Sequence, residues 1–468
     1  MAQDDQKCSK QLKAMREEIN WEIENERYKL LDQMHLLIEN WKGQFPNLRD
    51  IFRSEEIDWL LSEASMNRDK TSNFFRLHTF TFFVINAGYK DEPKLDEDGK
   101  PLLRRTTAMH SIFKRGWKWF VDVLFRIYER FDVDYIDESG LTHFHLACMC
   151  GRYDIVEKFL VLGHDPNFMW QETGDSPLHL AVADSHDWVA RSLLRHGADR
   201  NSINKNGLTP LHIICTQDEW HEFLVEIFFE VSETSHQALP LDVVDNFGQT
   251  PLQLAVANFL PDVVEILLDR GADLSGFVFP TEEQFDKSLK SFRDQNSNKL
   301  HFTANVLTIT QRLEKGGCEL DKSDALTIMK ISAKLGLFDE LKNLKKYWYD
   351  DEELVSEANK ILMKPNLSLC DLIRMQPEES EKLLTYADYL KFSLSDEWFC
   401  ISDSHRDACD TYLCEIMVRE FFRRWTLEFF MPLTCYQLPI LCCEKIIEKL
   451  KTEDLFHICL SASGQNNE

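Results

Sequence analysis

Residues 174–183 read GDSPLHLAVA, and the same design recurs as GLTHFHLACM from Gly140, GLTPLHIICT from Gly207 and GQTPLQLAVA from Gly248. Each copy places a hydroxyl residue shortly after a glycine and a His or Gln three positions further on. A weaker copy at Thr107 lacks the glycine. The hydroxyl residues Thr107, Thr142, Ser176, Thr209 and Thr250 are therefore separated by 35, 34, 33 and 41 residues. In three copies the hydroxyl residue directly precedes Pro177, Pro210 or Pro251. A hydroxyl in that place accepts an orphan backbone N–H, and proline is harmless in a first helical turn, so each copy marks a helix start.

The residues after each start are also repetitive. Leu178, Leu180 and Ala181, with their counterparts Leu211, Ile213 and Ile214 and then Leu252, Leu254 and Ala255, give short helices with small and apolar faces. Second helices come next, such as the one carrying Ile155, Val156, Phe159 and Leu160. They run into Gly163, Gly197 and Gly271, where a left-handed backbone can close them.

A period near 33 residues is that of a stacked helix-pair solenoid. With its Thr-Pro-Leu-His starts, the chain from Thr107 to Ser275 resembles an ankyrin-repeat protein, with about five units and the first divergent. The fold class implied is all-α: an ankyrin solenoid of helix pairs with short β-hairpin tips, flanked by amino-terminal helices and a carboxy-terminal helical domain. The resemblance further implies that His110, His145, His179 and His212 hydrogen-bond neighbouring turns. Layers of helices lie about 10 Å apart, too far for these imidazoles to share an ion.

Composition narrows the function classes. With 53 basic and 79 acidic side chains the formal charge is −26, which repels phosphate backbones and anionic lipid, so neither nucleic acid nor a membrane is expected as a partner. Thirteen cysteines sit mostly inside apolar helical patterns, which reads as reduced thiols. Cys435, Cys442, Cys443 and Cys459 raise a zinc possibility, but no paired C-x2-C spacing accompanies them, and no metal or cofactor is expected. The amino terminus lacks the apolar core of a signal peptide, and no uncharged apolar run is long enough to span a bilayer. The expected location is the cytoplasm or nucleus. No phosphate loop or nucleophile–base set emerges, so the chain is not expected to be an enzyme.

The pattern partitions the chain into an amino-terminal helical region (1–90), repeats (91–275), a helical connector (276–368) and a carboxy-terminal domain (369–468). Residues 10–41 are charged and helical in period, either a short coiled coil or a helix packed on the next domain. Residues 91–105, DEPKLDEDGKPLLRR, read as an exposed connector. Residues 232–240, SETSHQALP, lengthen the turn before the last unit, as a specificity element or a tolerated excursion. Gly336 and Phe338 to Leu341 resemble part of one more repeat that lacks its start.

Solenoids of this kind bind along a concave wall of hairpin tips and first helices. The tips here are rich in aromatic residues within acidic surroundings, and Tyr135, Phe168, Met169, Trp170, Asn204 and Phe247 are the expected contacts to a target protein. The competing expectation is that these aromatics pack on flanking helices.

Near the carboxy terminus, Leu438-Pro439 opens an amphipathic segment with Leu441, Ile446, Ile447 and Leu450, followed by Thr452-Glu453-Asp454-Leu455 as a new helix start. This order resembles a shortened F-box. Behind ankyrin repeats it is similar to the PRANC domain of poxvirus and insect ankyrin proteins. That resemblance implies binding to the linker subunit of cullin-RING (SCF-type) ubiquitin ligases through Leu438, Pro439, Ile446, Ile447, Leu450 and Leu455. The chain is then a substrate-recruiting adaptor. The alternative is a non-catalytic scaffold or inhibitor, for example of a transcription factor, whose end helices merely cap the array.

Overall fold

The charged amino-terminal stretch forms two helices, α1 (Ala2–Glu17) and α2 (Glu24–Glu39), where the sequence period suggests one. Asn20 makes the break: its side chain accepts from Glu22 N at 3.0 Å, and its own N–H reaches the Glu26 carboxylate at 2.5 Å. The computed structural model describes residues 2–41, 44–64, 70–217, 222–235, 239–294, 298–338, 352–375, 377–380 and 382–464. These fold into two compact units, Met1–Ile214 with Phe223–Leu239, and Cys215–Glu222 with Pro240–Glu468. The division falls inside the repeat segment.

In the first unit α3 (Ser54–Glu63) and α4 (Lys70–Asn86) join α2 around Leu30, Met34, Ile57, Leu60 and Val84, all fully or almost fully buried. The segment 91–105 does more than connect. Arg105 lies between two carboxylates, Asp58 of α3 and Asp91, donating from Nε to Asp58 at 2.9 Å and from Nη2 to Asp91 at 3.0 Å. Tyr128 OH donates to the same Asp58, and Tyr135 OH to Asp91 at 2.5 Å. Burial raises the Asp58 carboxyl to about 6, against the pull of Arg105. This cluster fixes the amino-terminal helices to the first repeats.

The repeats come next as helix pairs: α5 (Ala108–Lys114) with α6 (Lys118–Leu124), α7 (His143–Met149) with α8 (Tyr153–Val161), α9 (Pro177–Ala183) with α10 (Asp187–Arg195), and α11 (Pro210–Ile214) with α12 (Glu222–Ser235). First helices pack on first helices, α5 on α7, α7 on α9 and α9 on α11, while α8 packs on α10. The lengthened turn is partly helical: residues 232–235 continue α12, while 236–238 lie outside the described residues.

In the second unit the last repeat with a Thr-Pro start is α13 (Pro251–Ala257) with α14 (Pro261–Asp269). The stack does not stop there. A further pair, α15 (Glu282–Asp294) and α16 (Lys299–Lys315), packs α15 on α13 and α16 on α14, in repeat order but without the Thr-Pro-Leu-His start. Phe259 seals the junction, with ring centroids 5.0 Å from Phe285 and 4.1 Å from Phe302. Beyond it, α17 (Lys322–Lys334) packs on α15, and Lys334 pairs with Asp286 at 2.7 Å. Residues 339–341 of the expected partial repeat lie outside the described residues.

Among the described residues of the remainder, the helices are joined by turns and by a short antiparallel ladder, β1 (Leu362–Lys364) on β2 (Leu367–Ser368). Around it run α18 (Glu352–Lys360), α19 (Leu369–Arg374), α20 (Pro377–Ser380), α21 (Tyr386–Ser393) and α22 (Asp396–Phe399). The 31-residue α23 (Asp403–Leu433) carries α24 (Ile440–Lys449) and α25 (Thr452–Ala462) on its side and also contacts α16 and α17. Asp410 of α23 accepts from Lys299 N at 2.9 Å and from Leu300 N at 2.5 Å, capping α16. All thirteen cysteines are free thiols. Cys148, Cys215 and Cys414 are buried, and Cys400, Cys435 and Cys442 are exposed. No helix among the described residues is long and apolar enough to cross a membrane.

Candidate functional site

Three of the hairpin tips share one local device. Asp137 Oδ1 accepts from Ser139 N at 2.8 Å and Leu141 N at 2.9 Å, closing a five-residue turn. Asn204 does the same with Asn206 N and Leu208 N, both at 3.0 Å, and Asp245 with Phe247 N and Gln249 N. Short side chains that bond their own backbone two residues on favour such turns. Asp96 repeats it with Asp98 N and Lys100 N, an extra tip within a stretch whose composition suggests a plain connector.

The histidines then lock tips to helices. In His110, His145, His179 and His212, Nδ1 accepts the backbone N–H of the preceding Thr or Ser at 3.1–3.2 Å. That places the proton on Nε2, which donates to Leu141 O from His110 at 3.1 Å, to Phe168 O from His145 at 2.6 Å and to Leu208 O from His179 at 3.0 Å. Burial lowers His110 and His145 to about 4 and lowers His179 as well, so the rings stay neutral at ordinary pH. Glycine is required where tips meet. At Gly174, φ is +78° and a Cβ would stand 2.8 Å from Lys205 N.

The expected target contacts divide. Phe168 and Met169, in the first unit, are each 38% exposed, and Phe247, in the second, is 82% exposed. Trp170 is half-buried, its Nε1 donating to Ser139 Oγ at 3.2 Å. Tyr135 is not at the surface: its hydroxyl has turned inward to Asp91 and its ring lies under the Arg105 guanidinium, 5.0 Å from the ring centroid. Asn204 is likewise buried, its oxygen spent on the turn and its Nδ2 on Asp175 at 2.8 Å. Both are structural members of the tips. Asp134, behind them, is held by Phe144 N at 2.9 Å and pushed up to about 7 by burial.

The carboxy-terminal residues divide in the same way. Pro439 is the N-cap of α24, and the Asp454 carboxylate accepts Lys451 N at 3.2 Å to open α25. Leu438, Pro439 and Ile446 are exposed, whereas Ile447 and Leu455 are buried in the helical packing and Leu450 is half-buried. Ile447 and Leu455 therefore hold α24 and α25 in place and cannot themselves meet a partner. Three exposed apolar residues, Tyr436, Ile440 and Leu441, extend the Leu438 surface, and they sit in the same CYQLPIL stretch that contains Leu438. Among the described residues no group of three or more His, Cys, Asp or Glu side chains is placed to hold a metal ion.

Residues 109–202 and 178–276 match the family model of ankyrin repeats. The chain is 28% identical to human B-cell lymphoma 3 protein over 141 residues, 30% of this chain and 30% of that protein. It is 36% identical to mouse protein phosphatase 1 regulatory subunit 27 over 96 residues, 20% of this chain and 60% of the relative. It is 28% identical to the Arabidopsis thaliana E3 ubiquitin-protein ligase KEG over 205 residues, 41% of this chain and 12% of the relative. The matches thus span less than two thirds of each of these relatives.

Proposed function

We propose, from the premise that residues 109–276 are ankyrin repeats, that this chain is a non-catalytic adaptor that brings a target protein to a cullin-RING ubiquitin ligase. The repeats are a protein–protein interaction module. Their tips hold the target through Phe168, Met169 and Phe247, with Trp170 partly accessible. The ligase linker docks on Leu438, Pro439 and Ile446, with Ile440 and Leu441 beside them. The observation that carries this reading is the exposed apolar surface of α24, whose opposite face at Cys443 and Ile447 is buried. A helix that exposes leucine and isoleucine on one side while burying the other is suited to a partner. The ligase named among the relatives is in keeping with it.

The test is co-purification of the full chain with the linker subunit and cullin. The wild type should retain both, and Leu438→Asp with Ile446→Asp should weaken retention by about tenfold or more. Phe168→Ala with Phe247→Ala should leave it unchanged. A wild-type chain that holds no linker at micromolar concentration defeats the ligase reading. It would then favour the second one, a scaffold or inhibitor whose terminal helices only close the array. The burial of Ile447 and Leu455 favours that second reading.

A further inference from the structure

The second helices of four successive repeats each begin with an aromatic ring, within their first two residues. Trp119 and Trp188 are the second residues of α6 and α10, Tyr153 is the first of α8, and Phe223 is the second of α12. They are 57%, 69%, 43% and 67% exposed, in that order. The rungs are tied to one another. Arg152, beside Tyr153, pairs with Asp122 of α6. Ser192 of α10 donates to Glu157 of α8 at 2.5 Å, and Arg191 of α10 pairs with Glu230 of α12 at 2.8 Å. A groove of about 450 Å³ runs beside Trp119 toward His186, floored by Met149 and Cys150.

Charge and spacing together indicate the occupant. The cations of this face, Lys118, Arg152 and Arg191, already have acidic partners in Asp184, Asp122 and Glu230. Asp154, which also pairs with Arg152, and Asp187 and Glu226 bring the carboxylates beside these cations to six against three. Repeat layers lie about 10 Å apart. A helix climbs about 1.5 Å per residue, so seven residues advance about 10.5 Å and return to nearly the same face, with a drift of about 20°. A strand covers that distance in about three residues and turns the side chain to the opposite face. The rungs therefore match a helix.

We propose that this ladder docks a cationic amphipathic helix of a partner protein, with an apolar residue every seventh position on successive rings and Lys or Arg flanking it. The ladder shares no residue with the tip contacts or with α24, and the proposal does not depend on the ligase reading.

Two synthetic helical peptides with the same leucine stripe, one flanked by arginine and one by glutamate, test it by tryptophan fluorescence and calorimetry with the full chain. The arginine peptide should bind and the glutamate peptide should not. Trp119→Ala with Trp188→Ala should weaken binding by about tenfold or more, with circular dichroism unchanged. Asp187→Lys with Glu226→Lys should weaken it without touching a ring, and Phe168→Ala with Phe247→Ala should leave it intact. No binding by the arginine peptide, equal binding of the two peptides, or indifference to the Trp119 and Trp188 changes overturns the proposal. So does a dimer of the chain that dissolves in the Trp variant, which would assign the face to self-association.

Discussion

His145 fastens a helix start and a neighbouring tip with one neutral ring, and Gln253 shows that an amide can do the same. Gln253 Oε1 accepts Thr250 N at 2.8 Å and its Nε2 donates to Val278 O at 3.2 Å. His145→Gln should therefore stay within about 1 kcal/mol of the wild type at pH 7 in denaturant unfolding. His145→Ala, which strands Thr142 N and Phe168 O, should cost about 1–3 kcal/mol. Acidity separates the histidine from the glutamine. Burial holds the folded ring at about 4, below its unfolded value of about 6.5, so the unfolded chain binds more protons in that window. The stability from the neutral ring is present above pH 6.5 and is lost as pH falls toward 4, by up to about 1.4 kcal/mol per pH unit. The glutamine variant should gain on the wild type by that measure, and parallel pH curves for the two proteins would contradict it. These roles are legible in the sequence because cap, proline and histidine lie within four residues of one another. Tyr135 and Asn204 are not, because nothing local shows where a hydroxyl or amide finds its partner: Tyr135 answers to Asp91, 44 residues away in sequence.

The helix pairs α5–α6 to α13–α14 can be read from the recurring hydroxyl-led starts, but α15–α16 keeps only fragments of that pattern, Pro280 and Thr281 before α15 and Gly316-Gly317 after α16. Its place in the stack comes from Phe285 and Phe302 meeting Phe259, a long-range fit that no spacing rule describes. The Arg105 cluster is hidden for the same reason, since charged residues near Pro and Gly look like a loop until their partners in α3 are known. Arg105→Met leaves Asp58 and Asp91 buried without their cation and should cost about 3–5 kcal/mol in unfolding experiments. An Arg105→Met protein as stable as the wild type would show that the carboxylates find other partners. Leu455→Asp should likewise unseat α25 from α23, lowering the thermal midpoint by several degrees. Leu438→Asp on the exposed side should leave it nearly unchanged.

Across the molecule, exposed aromatics lie on tips, on second helices and near α24, while the stacked interiors carry the stability. Changing Phe168 and Phe247 to Ala together should alter unfolding free energy by less than about 0.5 kcal/mol each, so any lost binding reports contact and not collapse. The thiols offer a different use. Burial pushes Cys148 and Cys414 far above the ordinary thiol range, and Cys459 to about 11, so in the closed protein they resist alkylation. Cys400, Cys435 and Cys442 stand open to it. Mass spectrometry of a timed alkylation therefore turns the chain into its own clock: the surface thiols mark zero. The delay at α7, α23 or α25 then measures how often each helix breathes.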